Sequence, residues 1–299
     1  MAVQSVRQLR NRIRSTQKTA QITRTMQMVA ASRLKRAQGT LRQATPYAQR
    51  MEHILDHLRQ TGLPMAHPFF VPRPVRSLAL VVVTSDRGLC GAYNANVLTQ
   101  AEAFLSTPRA QPVQLILIGK KGADYFKSRS WPILHCYLDV AGKMDFHKIS
   151  DITGRIVRAY ESGEADEVHL IFSQYISAMS IRPVQVQFLG LTPSDARAAA
   201  VRTAGAVPPQ GKSVQTLLEP DLAQVLARFL PEYVASKMYI SLASAFTAEN
   251  SARMIAMKTA TDNAKEMIGR LTLQRNKVRQ ATITKEILEI VTAGEALKG

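Results

Sequence analysis

The sequence predicts an α/β protein: a long antiparallel coiled coil of N- and C-terminal helices joined to a Rossmann-like α/β central domain. Three observations predict this. From Pro231 to Leu297 no further proline occurs, and the only glycines are Gly269 and Gly294. An uninterrupted helix of that length spans roughly 100 Å, longer than a compact domain can bury. The N-terminal residues repeat the same helical pattern. Between the two, β-branched runs alternate with amphipathic stretches, the pattern of a mainly parallel sheet flanked by helices.

Taken in order, Val3 to Leu58 reads as the first long helix. Its inward stripe steps by three and four: Val6, Leu9, Ile13, Thr16, Ala20, Thr23, Met26, Ala30, Leu34, Ala37, Leu41, Ala44, Ala48, Met51, Leu55. Pro46 is expected to bend or interrupt it, and Gly39 to weaken it. Residues 1–50 hold eleven Lys and Arg and no Asp or Glu. A solvated helix face normally mixes signs, so this excess points to an acidic partner. The whole chain carries a net charge of +17.

Thr61 to Arg76, with Pro64, Pro68, Pro72 and Pro74, reads as a linker. Strands are predicted at Leu78–Thr84, Val113–Ile118, Ile133–Leu138, Val168–Ser173 and Val184–Leu189. Helices are predicted at Asn94–Leu105, Lys121–Ser128 and Ile149–Glu161. Thr192 to Lys212 is Pro- and Gly-rich and reads as a loop. Helix restarts at Leu217, with Pro220 in a first turn. The domain boundaries are therefore 1–58 for the N-terminal helix, 77–191 for the α/β domain, 192–216 for the loop and 217–299 for the C-terminal helix. The C-terminal seam is expected at Val234, Met238, Leu242, Ala245, Ala248, Ala252, Ile255, Thr259, Asn263, Met267, Leu271, Gln274, Val278, Ala281, Thr284, Leu288 and Val291. Both arms must run to or from the central domain, so they pair antiparallel. Many seam residues are small or polar, which packs closely but buries little, so further partners are expected.

No stretch has the length and apolarity of a membrane span. The Arg-rich, acid-free start resembles a transit peptide in composition, but its helical spacing runs on unbroken and reads as mature structure. Cys90 and Cys136 lie in or beside apolar runs and read as buried free thiols of a reducing compartment. No metal or cofactor site is expected: the histidines are scattered, and His53 and His57, four apart on one helix, lack a third ligand. No catalytic constellation is expected either.

Two glycine turns follow strands. Ser85-Asp86-Arg87-Gly88-Leu89-Cys90-Gly91-Ala92-Tyr93-Asn94 comes after the first, Gly119-Lys120-Lys121-Gly122 after the second. Each could start a phosphate loop, yet neither has a dinucleotide fingerprint or a Gly-Lys-Ser/Thr ending, so tight strand-to-helix turns are the simpler reading. Asp86 is a candidate for an ion pair with Arg87 or for a helix N-terminus. Two alternative functions stay open on the residues alone: a basic coiled-coil nucleic-acid-binding protein, and a nucleotide-binding α/β enzyme with helical arms.

Three segments resemble the γ subunit family of F-type ATP synthases. They are Ile22-Thr23-Arg24-Thr25-Met26-Gln27-Met28-Val29-Ala30-Ala31-Ser32 with Arg33-Leu34-Lys35-Arg36; Thr84 to Gly91; and Ala252 to Ala264 with Asn276 to Thr284 and Glu289-Ile290-Val291. The resemblance covers essentially the whole chain. It implies a central shaft turning inside a ring of three α and three β subunits, with ε and the c-ring as further partners. It implies coupling of proton or other ion translocation to ATP synthesis, with no catalytic residue, cofactor or nucleic acid of its own. By position, Arg279, Gln280 and Thr284 match residues that meet a catch loop of β, and Met26, Arg33, Lys35 and Arg36 match the face near an acidic lever loop of β. Val214, Leu217 and Glu219 fall near the foot that touches ε and the c-ring. Gln274-Arg275 stands where the family often has an aromatic residue, and Lys285 where Gln is common. The absence of a cysteine-bearing insert implies no thiol control of the plant chloroplast kind. The resemblance implies membrane association only through the complex, on the cytoplasmic face of a bacterial inner membrane.

Overall fold

The computed structural model describes residues 5–60, 69, 73–140, 144–190 and 222–296. The elements are α1 (Val6–Gln60), β1 (Leu78–Val83), α2 (Tyr93–Ser106), β2 (Val113–Ile118), α3 (Lys120–Lys127), β3 (Ile133–Tyr137), α4 (Phe146–Glu161), β4 (Glu167–Ser177), β5 (Ser180–Leu189) and α5 (Leu222–Ala296). They form an α/β fold with two long terminal helices. The predicted loop 192–216 and the helix restart at Leu217 lie outside the described residues.

The five strands form one sheet in the order β3-β2-β1-β4-β5. The first four are parallel and β5 is antiparallel to β4. β1 is buried along its whole length, which is why its sequence, LALVVV, is continuously apolar rather than alternating. Its side chains still alternate between faces. Leu80 and Val82 join Val97, Phe104 and Phe126 under α2 and α3. Ala79, Val81 and Val83 join Ile149, Ile156, Leu230 and Met238 under α4 and the first part of α5. Leu55 and Leu58 at the end of α1 belong to that same second core.

The residues before β1 are anchored although they read as a linker. Arg73 lies over the Tyr160 ring at 4.0 Å. It donates to the carbonyls of Tyr160 and Ala165 and pairs with Asp166 at 3.3 Å. The same carboxylate accepts the amides of Arg76 and Ser77, so one buried acid sets where β1 enters the sheet.

Three local expectations differ from what is observed. α1 continues through Pro46 without interruption. Pro46 is exposed, so its ring meets solvent, while half-buried Ala44 and Ala48 and buried Met51 hold the packed face on either side. Cys136 is exposed, because β3 is an edge strand, whereas Cys90 is buried. β4 and β5 are longer than predicted and close a tight hairpin at Ala178-Met179.

Packing divides the chain into two compact units, Met1–Ser32 with Arg253–Gly299, and Arg33–Ala252. Each long helix contributes residues to both. On α1 every residue of the predicted stripe is buried or half-buried. On α5 the stripe departs from expectation in the middle. Arg253, Met257, Thr261 and Ala264 are the buried positions, while Thr259, Asn263 and Met267 are exposed. The buried positions fall one to two residues after the expected Ala252, Ile255, Thr259 and Asn263. Helical geometry holds the stripe near 3.6 residues per turn whatever side chain falls there.

Candidate functional site

In the unit formed by residues 1–32 and 253–299, two helices pack on each other. The Thr261 hydroxyl donates to that of Thr23 at 2.8 Å. Counting seventeen residues outward from each threonine along the antiparallel pair reaches Val6 on α1 and Val278 on α5. Both are half-buried, and every described side chain after Val278 is exposed. α5 continues to Ala296, past the described residues of α1.

That overhang is not polar. Ile283, Ile287, Leu288, Ile290 and Val291 are each 47–71% exposed. At 100° per residue they cover about half of the helix circumference, more than one neighbouring helix would hide. Exposed apolar surface of this extent marks an interface. Arg279, Gln280 and Thr284 lie on this overhang and are exposed. The Thr284 hydroxyl turns back onto the Gln280 carbonyl at 3.0 Å, as threonines in helices commonly do. Lys285 reaches Glu289 at 3.5 Å, an exposed pair worth little by itself.

The basic residues of α1 are all exposed, from Arg7 to Arg50. Met26 is half-buried in the paired-helix unit, while Arg33, Lys35 and Arg36 are exposed in the other unit. Val214, Leu217 and Glu219 lie outside the described residues.

The two glycine turns serve packing. Gly119 has φ +102°, and a Cβ there would meet the Thr84 carbonyl oxygen at 2.1 Å. A Cβ on Gly122 would meet the Thr84 hydroxyl at 2.9 Å, and that hydroxyl accepts the Gly122 amide. Asp86 Oδ1 accepts the amides of Lys120 and Asp139, so the N-terminus of α3 already has its anion. After β1, Asn94 bonds the Ser85 amide and hydroxyl, and Cys90 and Tyr93 pack on Ala248 of α5. These loops hold helix to strand.

Sequence reasoning missed how the β4–β5 hairpin is tied to the long helices. Tyr175 donates its amide to Ser244, Ser251 donates to the Ala178 carbonyl, and Gln38 donates to the Tyr175 hydroxyl. Serines at 244 and 251, seven apart and so on one face of α5, were the available signal. Among the described residues no group of three metal-ligating side chains occurs, and no helix is long and apolar enough to cross a membrane.

Two long terminal helices, an α/β sheet, an exposed apolar helix end and a one-signed basic run over residues 1–50 are the features of a chain that joins a larger assembly. The ATP synthase family matches residues 5–297. The ATP synthase gamma chain of Desulforamulus reducens is 38% identical over 295 residues, covering 98% of this chain and 99% of that one. That of an Anaeromyxobacter species is 40% identical over 300 residues, with the same coverage. The chain belongs to the ATP synthase family, among its gamma chains. Its fold is similar to a chain of the Euglena gracilis mitochondrial ATP synthase (OSCP/F1/c-ring), with TM-score 0.65, 17% identity, and 98% of this chain and 94% of that one covered. It is also similar to a chain of the Tetrahymena thermophila mitochondrial ATP synthase central stalk and c-ring, with TM-score 0.58, 24% identity, and 80% and 99% covered.

Proposed function

We propose that this chain is the rotating central stalk of an F-type ATP synthase, turning inside a ring of three α and three β subunits. It couples ion flow through a c-ring to ATP synthesis or hydrolysis at sites held by β. It contributes no catalytic residue of its own. One observation carries this reading: α5 outruns its partner helix and ends in a broad exposed apolar face that needs a surrounding sleeve. A ring of several subunits supplies apolar wall on all sides, and a rod of this kind can turn in it without locking into one deep interface.

The mechanism follows from shape and charge. The three β sites are chemically alike, so a rod whose faces differ biases each site differently as it turns. Coupling then passes as differential binding energy between sites. Arg279, Gln280 and Thr284, exposed on the overhang, contact β near its catch loop. Met26, Arg33, Lys35 and Arg36 face an acidic loop of β, and the unmixed positive charge of residues 1–50 supports this. Val214, Leu217 and Glu219 contribute to the ε and c-ring contacts. The domains are 1–58, 77–191, 192–216 and 217–299. The assembly sits on the cytoplasmic face of a bacterial inner membrane, and this chain joins the membrane only through it. The similar proteins are ATP synthase chains and lend no support to the nucleic-acid-binding reading.

The test is a pull-down of the tagged chain from gently solubilised membranes, with the co-purifying chains quantified. Recovery of α and β in threefold excess over this chain, with ε and c present, is the expected result. Recovery of nucleic acid, or of no stoichiometric partner, overturns it.

A further inference from the structure

Within the unit Arg33–Ala252, both long helices are tied to the sheet through one residue. Tyr175 lies near the tip of β4, where the β4–β5 register shifts between Tyr175 and Ser177. At such a bulge the backbone leaves the ladder and can bond elsewhere. The Tyr175 amide goes to the Ser244 hydroxyl of α5 at 2.9 Å. Its own hydroxyl, at the far end of the ring, accepts from Gln38 of α1 at 2.6 Å. Tyr175 packs against the cluster of Cys90, Tyr93 and Ala248, as do Ile181 and Ala252. Three residues on, Ser251 bonds the hairpin turn at the Ala178 carbonyl.

The helices need such a tie. The α5 face near the hairpin carries Ser244, Ala248 and Ser251, whose small side chains permit close approach but offer no bulky knob against sliding or rolling. Gln38 and Ala248 lie within about five residues of the points where α1 and α5 pass from one compact unit to the other.

We propose that Tyr175 is a torsional latch, a positioning residue that locks both stalk helices to the sheet and sets how stiffly the stalk transmits torque. The inference rests on the proposed stalk function. Tyr175→Phe removes only the Gln38 bond and keeps the ring packing, and Gln38→Ala removes the same bond from the other side. Both are assembled into the complete ATP synthase, and the rotor is twisted at the single-molecule level to read torsional stiffness, alongside the ratio of ion pumping to ATP hydrolysis. Each single variant is expected to soften the rotor and lower the pumping ratio while thermal stability stays near wild type. The double variant is expected to be no softer than either single, because both remove one interaction. Ser244→Ala is expected to soften it further, and Ser244→Thr to restore it. Unchanged stiffness in both single variants, or softening that sums in the double, overturns the latch alone. Wild-type chain that fails to assemble with α and β overturns the stalk function and the latch with it.

Discussion

Thr261 donates its hydroxyl to Thr23 across the paired helices, and Thr23 in turn lies 3.1 Å from the Ala20 carbonyl of its own helix. This short relay registers α1 against α5, and the register fixes where the pairing ends.

Replacing either threonine by valine should destabilise the chain, and a double-mutant cycle should show coupling of about 1 kcal/mol, the usual net worth of one hydrogen bond. Denaturant unfolding of the full chain reads it. Strictly additive effects would mean that the two hydroxyls do not depend on each other.

The glycines divide into two kinds. Gly119→Ala places a methyl group on the Thr84 carbonyl at a positive φ, and should cost about 3 kcal/mol or more. Gly39→Ala meets nothing within 4 Å and sits inside α1, so it should stabilise by up to about 1 kcal/mol. Thermal unfolding of the two variants should move in opposite directions.

Arg279→Ala with Gln280→Ala alters two exposed side chains of the overhang. The melting temperature of the isolated chain should therefore stay within a degree or two, since surface changes usually stay within about 0.5 kcal/mol. In the assembled enzyme, torque or the yield of ATP per ion should fall. Wild-type ATP-driven rotation in the double variant would remove these residues from the β contact.

Burial raises the pKa of Tyr160 above the ordinary tyrosine value of 10.0, opposed by nearby Arg73 and reinforced by Asp166 and Glu167. The folded state thus holds this proton where the unfolded chain has begun to lose it. The stability it contributes is complete below pH 10 and is lost as the pH rises above 10. Tyr137 and Tyr239, raised in the same way by burial, add to the same alkaline limb. Tyr160→Phe should flatten that limb in pH-dependent unfolding and leave neutral-pH behaviour nearly unchanged. A limb of unchanged slope would place the alkaline loss elsewhere.

The two long helices, the succession of strands and helices along the chain and the inward stripe of α1 were legible in the sequence because each rests on local periodicity. A helix repeats near 3.6 residues and a buried strand shows its apolar run directly, so neither requires knowledge of the neighbour. The likeness of the Thr23, Gly88 and Asn276 regions to the gamma chains was legible for the same reason, as contiguous strings. The middle of the α5 seam was not legible. Arg253 and Thr261 are buried there against chemical type, since helical geometry, and not residue polarity, decides which position faces inward. The exposure of Cys136 followed from β3 being a sheet edge, a fact of strand order. Thr23 with Thr261, and Gln38 and Ser244 with Tyr175, are contacts between residues 69 to 238 positions apart. Local pattern records what each segment prefers to become. Only the closed tertiary structure decides which hydroxyl meets which, and therefore where α5 runs out of partner and must find another.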